Sequence, residues 1–263
     1  MCGIVAILGR PSGRSIPSAT EISETLRAAV EALSGGQLPE ALGEASEHVA
    51  HADWLLSGTA GVAALLGQPE LRARTIAVLD EFDARIAAIE SGMEERVVDG
   101  VRLGADELEV ASAALIRGKD LAWSLRQDRL RTADAVAALV GRDATPPVVA
   151  GYLAVQLALS AIDRLEVRGR DSAGLHLYVW GHDLDLTAGP AAEELARRST
   201  DPLFPSESVR ASGNVLSFVY KAAAEIGELG DNTAALREAI ERDQLLRAAL
   251  IHGGQVAVLG HTR

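Results

Sequence analysis

With 263 residues the chain is long enough for one large domain or two ordinary ones. Hydrophobic residues make up 48% but aromatics only 3%, so the core must be built mainly from Ala, Leu, Val and Ile, which suits closely packed helices and not nucleic-acid stacking surfaces. A formal net charge of −12 argues against a duplex-binding face, which needs cations to displace counterions. One cysteine excludes an internal disulfide and a cysteine-based zinc site. The opening apolar run, residues 4–8, is too short for a signal segment and lacks a basic flank. No stretch reaches the roughly 18–20 uninterrupted apolar residues that span a bilayer. The expectation is a cytoplasmic protein with neither a membrane nor a nucleic-acid partner.

Residues 2–9 read as a buried strand: short, apolar, β-branched, and ended by Gly9 and Pro11. Ser18 with Glu21 fits a capping box that opens a helix with Ile22, Leu26, Ala29 and Leu33 on one face, closed by Gly35-Gly36. From there to about residue 142 the pattern stays helical. One stripe is Leu38, Leu42, Ala45, Val49 and Ala52. A second is Leu71, Val78, Leu79, Phe82, Ile86 and Ile89, followed by Leu108, Leu115 and Ile116, then Leu121, Leu125, Val136 and Leu139. Breaks are expected near Gly58, Gly67-Gln68-Pro69, Gly100, Gly118 and Gly141, giving about five helices.

Asp143-Ala144-Thr145-Pro146-Pro147 marks a boundary, since consecutive prolines break one helix and open the next, and a helix runs from about Pro147 to Glu166. Residues 175–180 alternate as a strand, with residues 183–186 as a hairpin partner. Residues 215–220 form another strand. Helices are expected over 222–227 and 233–250, and a last strand over 255–260. Strands at both ends and helices between them imply a sheet domain (1–19 and 145–263) interrupted by an all-helical insertion (20–144). Glu44, Glu47, His48 and His51 lie at helical spacing that could meet a metal, but such a group on one helix is usually polar surface.

The position of Cys2 carries chemistry. Removal of Met1 would leave one residue bearing both a thiol nucleophile and a free α-amine, whose pKa of roughly 7.7–8.0 suits it to act as the thiol's base near neutral pH.

Three segments resemble the class II glutamine amidotransferases, which are N-terminal-nucleophile hydrolases. They are Met1-Cys2-Gly3-Ile4-Val5, Arg168-Gly169-Arg170-Asp171-Ser172-Ala173-Gly174 after a helix, and Gly260-His261-Thr262-Arg263 after a strand. Within that class the second and third segments look most like the glutaminase domain of glutamine–fructose-6-phosphate aminotransferases, which read Arg-Gly-Tyr-Asp-Ser-Ala-Gly and His-Thr-Arg-Trp-Ala-Thr-His-Gly there. The resemblance covers residues 1–10 and 147–263 and leaves the helical block unassigned. It implies an α+β N-terminal-nucleophile-hydrolase sandwich, here partial, interrupted by the all-α block.

It also implies roles. Cys2 would attack the side-chain carbonyl of glutamine, its amine would shuttle the proton, and water would release glutamate from the thioester. Ammonia would pass to a sugar phosphate held by a missing downstream domain. Arg263 would bind the glutamine α-carboxylate through its planar fork. Gly3, Arg168 and Thr262 would shape the site, and no cofactor or metal would be needed. Gly3 reads either as a close approach of backbone to substrate or as a flexible joint. Homo-oligomerisation would run through the missing domains.

Two departures stand out. The family's tyrosine is Arg170 here, and the sequence ends inside the third motif, before the Asn-Gly pair of the family's oxyanion hole. The expectation is therefore a truncated product of low activity, because one lost oxyanion donor costs about 2.7–4 kcal/mol. The alternatives are another class II amidotransferase, of the amidophosphoribosyltransferase or asparagine synthetase type, or a non-catalytic helical interaction protein on a degenerate amidotransferase shell.

Overall fold

A computed structural model describes residues 2–10, 12–35, 37–98, 104–141, 144–223, 228–251 and 254–263. The chain divides into two compact units. One comprises Met1–Gly13 and Ala135–Arg263, the other Arg14–Asp134.

The first unit begins with β1 (Gly3–Leu8). The second holds α1 (Ala19–Ala32), α2 (Leu38–Leu55), α3 (Gly58–Gly67), α4 (Pro69–Val98), α5 (Ala105–Ser124) and a π-helical turn, Leu125–Leu130. The division falls inside α6 (Arg131–Val140). The first unit then continues through α7 (Pro146–Leu165), β2 (Ala173–Trp180), α8 (Gly189–Arg198), β3 (Ser208–Ser212), β4 (Val215–Ala222), α9 (Asp231–Arg242), α10 (Gln244–Ile251) and β5 (Gln255–Thr262).

In the helical unit, the Ser18 hydroxyl accepts the Glu21 N–H at 3.1 Å and caps α1, which buries Ile22, Leu26, Ala29 and Val30. α1 packs on α2 and α4, and α2 packs on α5. Two expectations fail in α5. Gly118 does not break the helix but lies within it. A Cβ there would sit 3.3 Å from Ser46 Oγ and 3.4 Å from Phe82, so the missing side chain permits close approach. Ser46 itself donates to the carbonyls of Leu42 (2.8 Å) and Ala114 (3.0 Å), joining α2 to α5. Ile116 is 57% exposed, and the buried stripe runs through Ala111, Leu115 and Ala122 instead. At the π-helical turn Leu125 and Leu130 face inward. Arg129 grips Asp53 with two hydrogen bonds of 2.9 and 2.8 Å. The expected break at Gly100 lies outside the described residues.

The other unit is α+β, with one five-stranded sheet in the order β1-β5-β2-β4-β3, every neighbouring pair antiparallel. α7 lies against β5 and β1, and α9 against β4 and β2. The strand residues turned toward these helices form the core: Leu175, Leu177, Val179, Leu216, Phe218, Tyr220, Val256 and Val258 are all buried. α7 is the one described helix long and apolar enough to cross a membrane, and 61% of its apolar window is buried in the fold.

The opposite face of the sheet is exposed along β1 and at Leu259 and His261 of β5, whereas Gly174, Val219 and Ser208 on it are buried. Register aligns it in rows: Ile4, His261 and Gly174; then Ala6, Leu259, His176 and Val219; then Leu8, Ala257, Tyr178 and Ser217. This corrects the expectation that the first strand is buried. β1 is an edge strand with alternating exposure, and Ile4 and Leu8 are 83% and 55% exposed.

Three further corrections concern the later elements. Residues 183–186 are not a strand. The Asp185 carboxylate accepts the Thr187 hydroxyl (2.6 Å) and the N–H groups of Thr187 (2.8 Å) and Ala188 (3.2 Å), turning the chain into α8, and these bonds, the hydroxyl's first, hold its pKa below the usual range. β4 pairs with β2 on one side and, on the other, with the unexpected strand β3, joined to it through Gly213, whose φ of +57° lies in the left-handed region. The helix expected over 233–250 is two helices, split at Asp243. There the backbone leaves the helical region (φ −76°, ψ 99°) and the carboxylate turns inward. Of the helix expected over 222–227, Ala222 ends β4, and residues 224–227 lie outside the described residues.

Candidate functional site

The three motif segments meet at one end of the sheet. β5 lies between β1 and β2, with Gly3 opposite Thr262 on one side and Ala173 opposite Thr262 on the other. Continuing both registers by one residue sets Cys2, Arg263 and Ser172 in a single row. The last part of that row is closed by hydrogen bonds: Arg263 N–H donates to the Ser172 carbonyl at 2.8 Å, and the Arg263 carbonyl accepts from Asp171 N–H (2.8 Å) and Ser172 N–H (3.2 Å). Side chains alternate along strands, so Cys2 shares the open face with Ile4, while Gly3 turns toward the helices. Cys2 is exposed, and its thiol is free.

Thr262 is fully buried and joins the segments from behind. Its hydroxyl accepts the Gly3 N–H at 3.3 Å. A Cβ on Gly169 would stand 2.9 Å from that hydroxyl and 3.1 Å from the Arg263 backbone, so only glycine lets the turn press against β5. A Cβ on Gly3 would meet the Leu165 side chain at 2.8 Å, so this glycine makes room for α7. Arg263 is exposed at the strand end. Arg168 is exposed in the turn after α7, with its N–H on the Leu165 carbonyl at 2.9 Å. His261 shares the open face, its Nε2 lying 2.9 Å from where a Gly174 Cβ would be.

Two residues that sequence reasoning passed over hold this corner in place. Glu166, 1% exposed, accepts the N–H groups of Gly230 (2.6 Å) and Thr233 (2.9 Å) and the Thr233 hydroxyl (3.0 Å). Its carboxylate thus serves the N-terminus of α9, where unpaired N–H groups and the helix dipole favour an anion. Asn232, 3% exposed, donates from Nδ2 to the Arg170 carbonyl at 2.9 Å. The turn that bonds Arg263 is therefore tied to α9 at both ends. The sequence signal was Gly230-Asp231-Asn232-Thr233, a helix start that offers donors to a nearby acid.

The arrangement sets an exposed thiol and a guanidinium on neighbouring strands at the same sheet end. That pairing can join nucleophilic attack to recognition of a carboxylate. The helical unit shows no comparable site among its described residues: His48 is 3.9 Å from Glu44, and the His51 ring packs beside Trp54. No family model, no curated protein and no solved structure matches the chain.

Proposed function

We propose that this chain is a class II glutamine amidotransferase, the glutaminase part of a glutamine–fructose-6-phosphate aminotransferase-like enzyme. One observation carries the reading: segments at residues 2–5, 168–174 and 260–263, chosen for their sequence alone, converge on adjoining strands at one sheet end. The α+β layer then corresponds to one half of an N-terminal-nucleophile-hydrolase sandwich.

In this reading the α-amine of Cys2, freed by loss of Met1, takes the thiol proton. The thiolate adds to the side-chain carbonyl of glutamine, and the proton is returned to the departing ammonia. Water then attacks the thioester carbon, giving glutamate and restoring the thiol. Arg263 receives the substrate α-carboxylate, and Gly169 and Thr262 fix the strand end from which it projects. Ammonia goes on to a sugar phosphate acceptor.

The test is mass analysis of the protein treated with a glutamine analogue bearing a diazoketone in place of the side-chain amide. Loss of Met1 and a single adduct at Cys2, prevented by excess glutamine and absent in Cys2→Ala, is the expected result. Retained Met1 with an unlabelled Cys2 in folded protein would sink the proposal.

A further inference from the structure

Resting on the glutaminase reading, we infer that Asp171, presented with Ser172 opposite Arg263 by a β-bulge, receives the α-ammonium of the substrate. The site then takes a free amino acid as its zwitterion.

The first support is the bulge. Arg263 N–H donates to the Ser172 carbonyl, and the Arg263 carbonyl accepts both the Ser172 and the Asp171 N–H. Two residues of one strand thus oppose one residue at the end of β5, an insertion that breaks side-chain alternation and re-aims what it carries. Ala173, 2% exposed, faces the helices, which puts Ser172 on the opposite face with Arg263. The extra residue, Asp171, is exposed. The bulge is fixed from behind: Asn232 Nδ2 donates to the Arg170 carbonyl, and Gly169 lies against the Arg263 backbone.

The second support is charge. Asp171 and Arg263 hold adjoining positions with opposite charge. Among the described residues no ion pair joins them, and no side-chain partner occupies the Asp171 carboxylate, the Arg263 guanidinium or the Ser172 hydroxyl. An amino-acid zwitterion satisfies both charges at once. Its carboxylate accepts the planar fork of the guanidinium, and its ammonium donates to the Asp171 carboxylate, with the Ser172 hydroxyl as a further acceptor.

The third support is reach. Cys2, Arg263 and the bulge extend the successive strands β1, β5 and β2, so Cys2 and the bulge are two strand spacings apart, about 9.6 Å. In glutamine, four bonds of about 1.5 Å put the side-chain carbonyl carbon about 5 Å from the α-nitrogen. Adding about 3 Å for the approach of the thiol and about 3 Å for the ammonium's hydrogen bond gives about 11 Å. An extended glutamine therefore lies across the strands, its amide over β1, its carboxylate over β5 and its ammonium over β2.

Calorimetric titration of full-chain Cys2→Ala protein with glutamine and with 4-carbamoylbutanoate, which is glutamine without its α-amino group, tests it. The amine-free ligand is expected to bind at least about tenfold more weakly, the scale of one charged hydrogen bond. Adding Asp171→Ala should weaken glutamine by about tenfold or more and change the amine-free ligand less than about twofold. Asp171→Asn, which keeps the side chain's volume, should show the same ligand dependence with a smaller loss. Equal losses for both ligands would make Asp171 a support of the turn alone. Unchanged glutamine affinity, or equal affinity of the Cys2→Ala parent for both ligands, would place the ammonium elsewhere. Each of these overturns the inference while the glutaminase reading stands. A parent that binds neither ligand overturns both.

Discussion

Replacing Asp243 with alanine is expected to cost the sheet unit about 3–5 kcal/mol, the loss typical of removing one partner of a buried ion pair. The Asp243 side chain is 2% exposed and that of Arg198 7%. The guanidinium donates to both carboxylate oxygens, at 2.9 and 2.6 Å. Tyr220 donates its hydroxyl at 2.6 Å, and the Leu246 N–H caps α10 on the same group at 3.0 Å. Burial first, then the neighbouring Asp243 charge, raises the Tyr220 pKa well above its ordinary value, so the phenol stays a donor.

Alanine would leave a buried cation, a buried hydroxyl and a helix N–H without an acceptor. Against a total stability of about 5–15 kcal/mol this is a large share. Urea unfolding followed through Trp180, with the exposed Trp54 and Trp123 changed to Phe, would measure it within this unit. A loss below about 1 kcal/mol, the range of an exposed pair, would contradict the account.

Glu166→Ala is the second large effect, and it links stability to the site. Three donors lose a charged acceptor, each such bond contributing about 1.5–3 kcal/mol and not additively, so a loss of about 3 kcal/mol is expected. Glu166→Gln keeps one acceptor oxygen and should cost about half as much. The distinguishing readout is hydrogen exchange. Because Glu166 and Asn232 tie the turn to α9, Glu166→Ala should speed exchange at the Asp171, Ser172 and Arg263 amides. Exchange at the Leu177 and Phe218 amides, in mid-sheet, should change less. Uniform acceleration across the sheet would show that Glu166 supports only global stability.

Much of the framework was legible because it is written in local chemistry. Ser18 caps α1, Pro146 opens α7, and alternation marks β2 and β4. The motif segments were visible because unusual residues sit at sharp punctuation, such as Gly169 before β2.

What was missed depends on partners far along the chain. Asp243 looks like one more polar residue in a helical run until Arg198 and Tyr220 are placed beside it. Gly118 reads as a breaker because a sequence does not show that Ser46 and Phe82 press against it. β3 is short, and its alternation is weak. Ile4 and Leu8 were expected to be buried because an apolar run announces burial without saying which layer supplies it. Glu166 shows in the sequence only as a helix end, since its partners Gly230 and Thr233 lie more than 60 residues away.

The most direct test of the proposed site is calorimetric titration of glutamine into Cys2→Ala protein, where binding is separated from turnover. Saturable binding at one site per chain is expected. Arg263→Ala should weaken it by at least about tenfold, the scale of one charge-assisted hydrogen bond, and Arg263→Lys should restore it only in part because lysine lacks the planar fork. Absence of binding, or an affinity unchanged by Arg263→Ala, would contradict it.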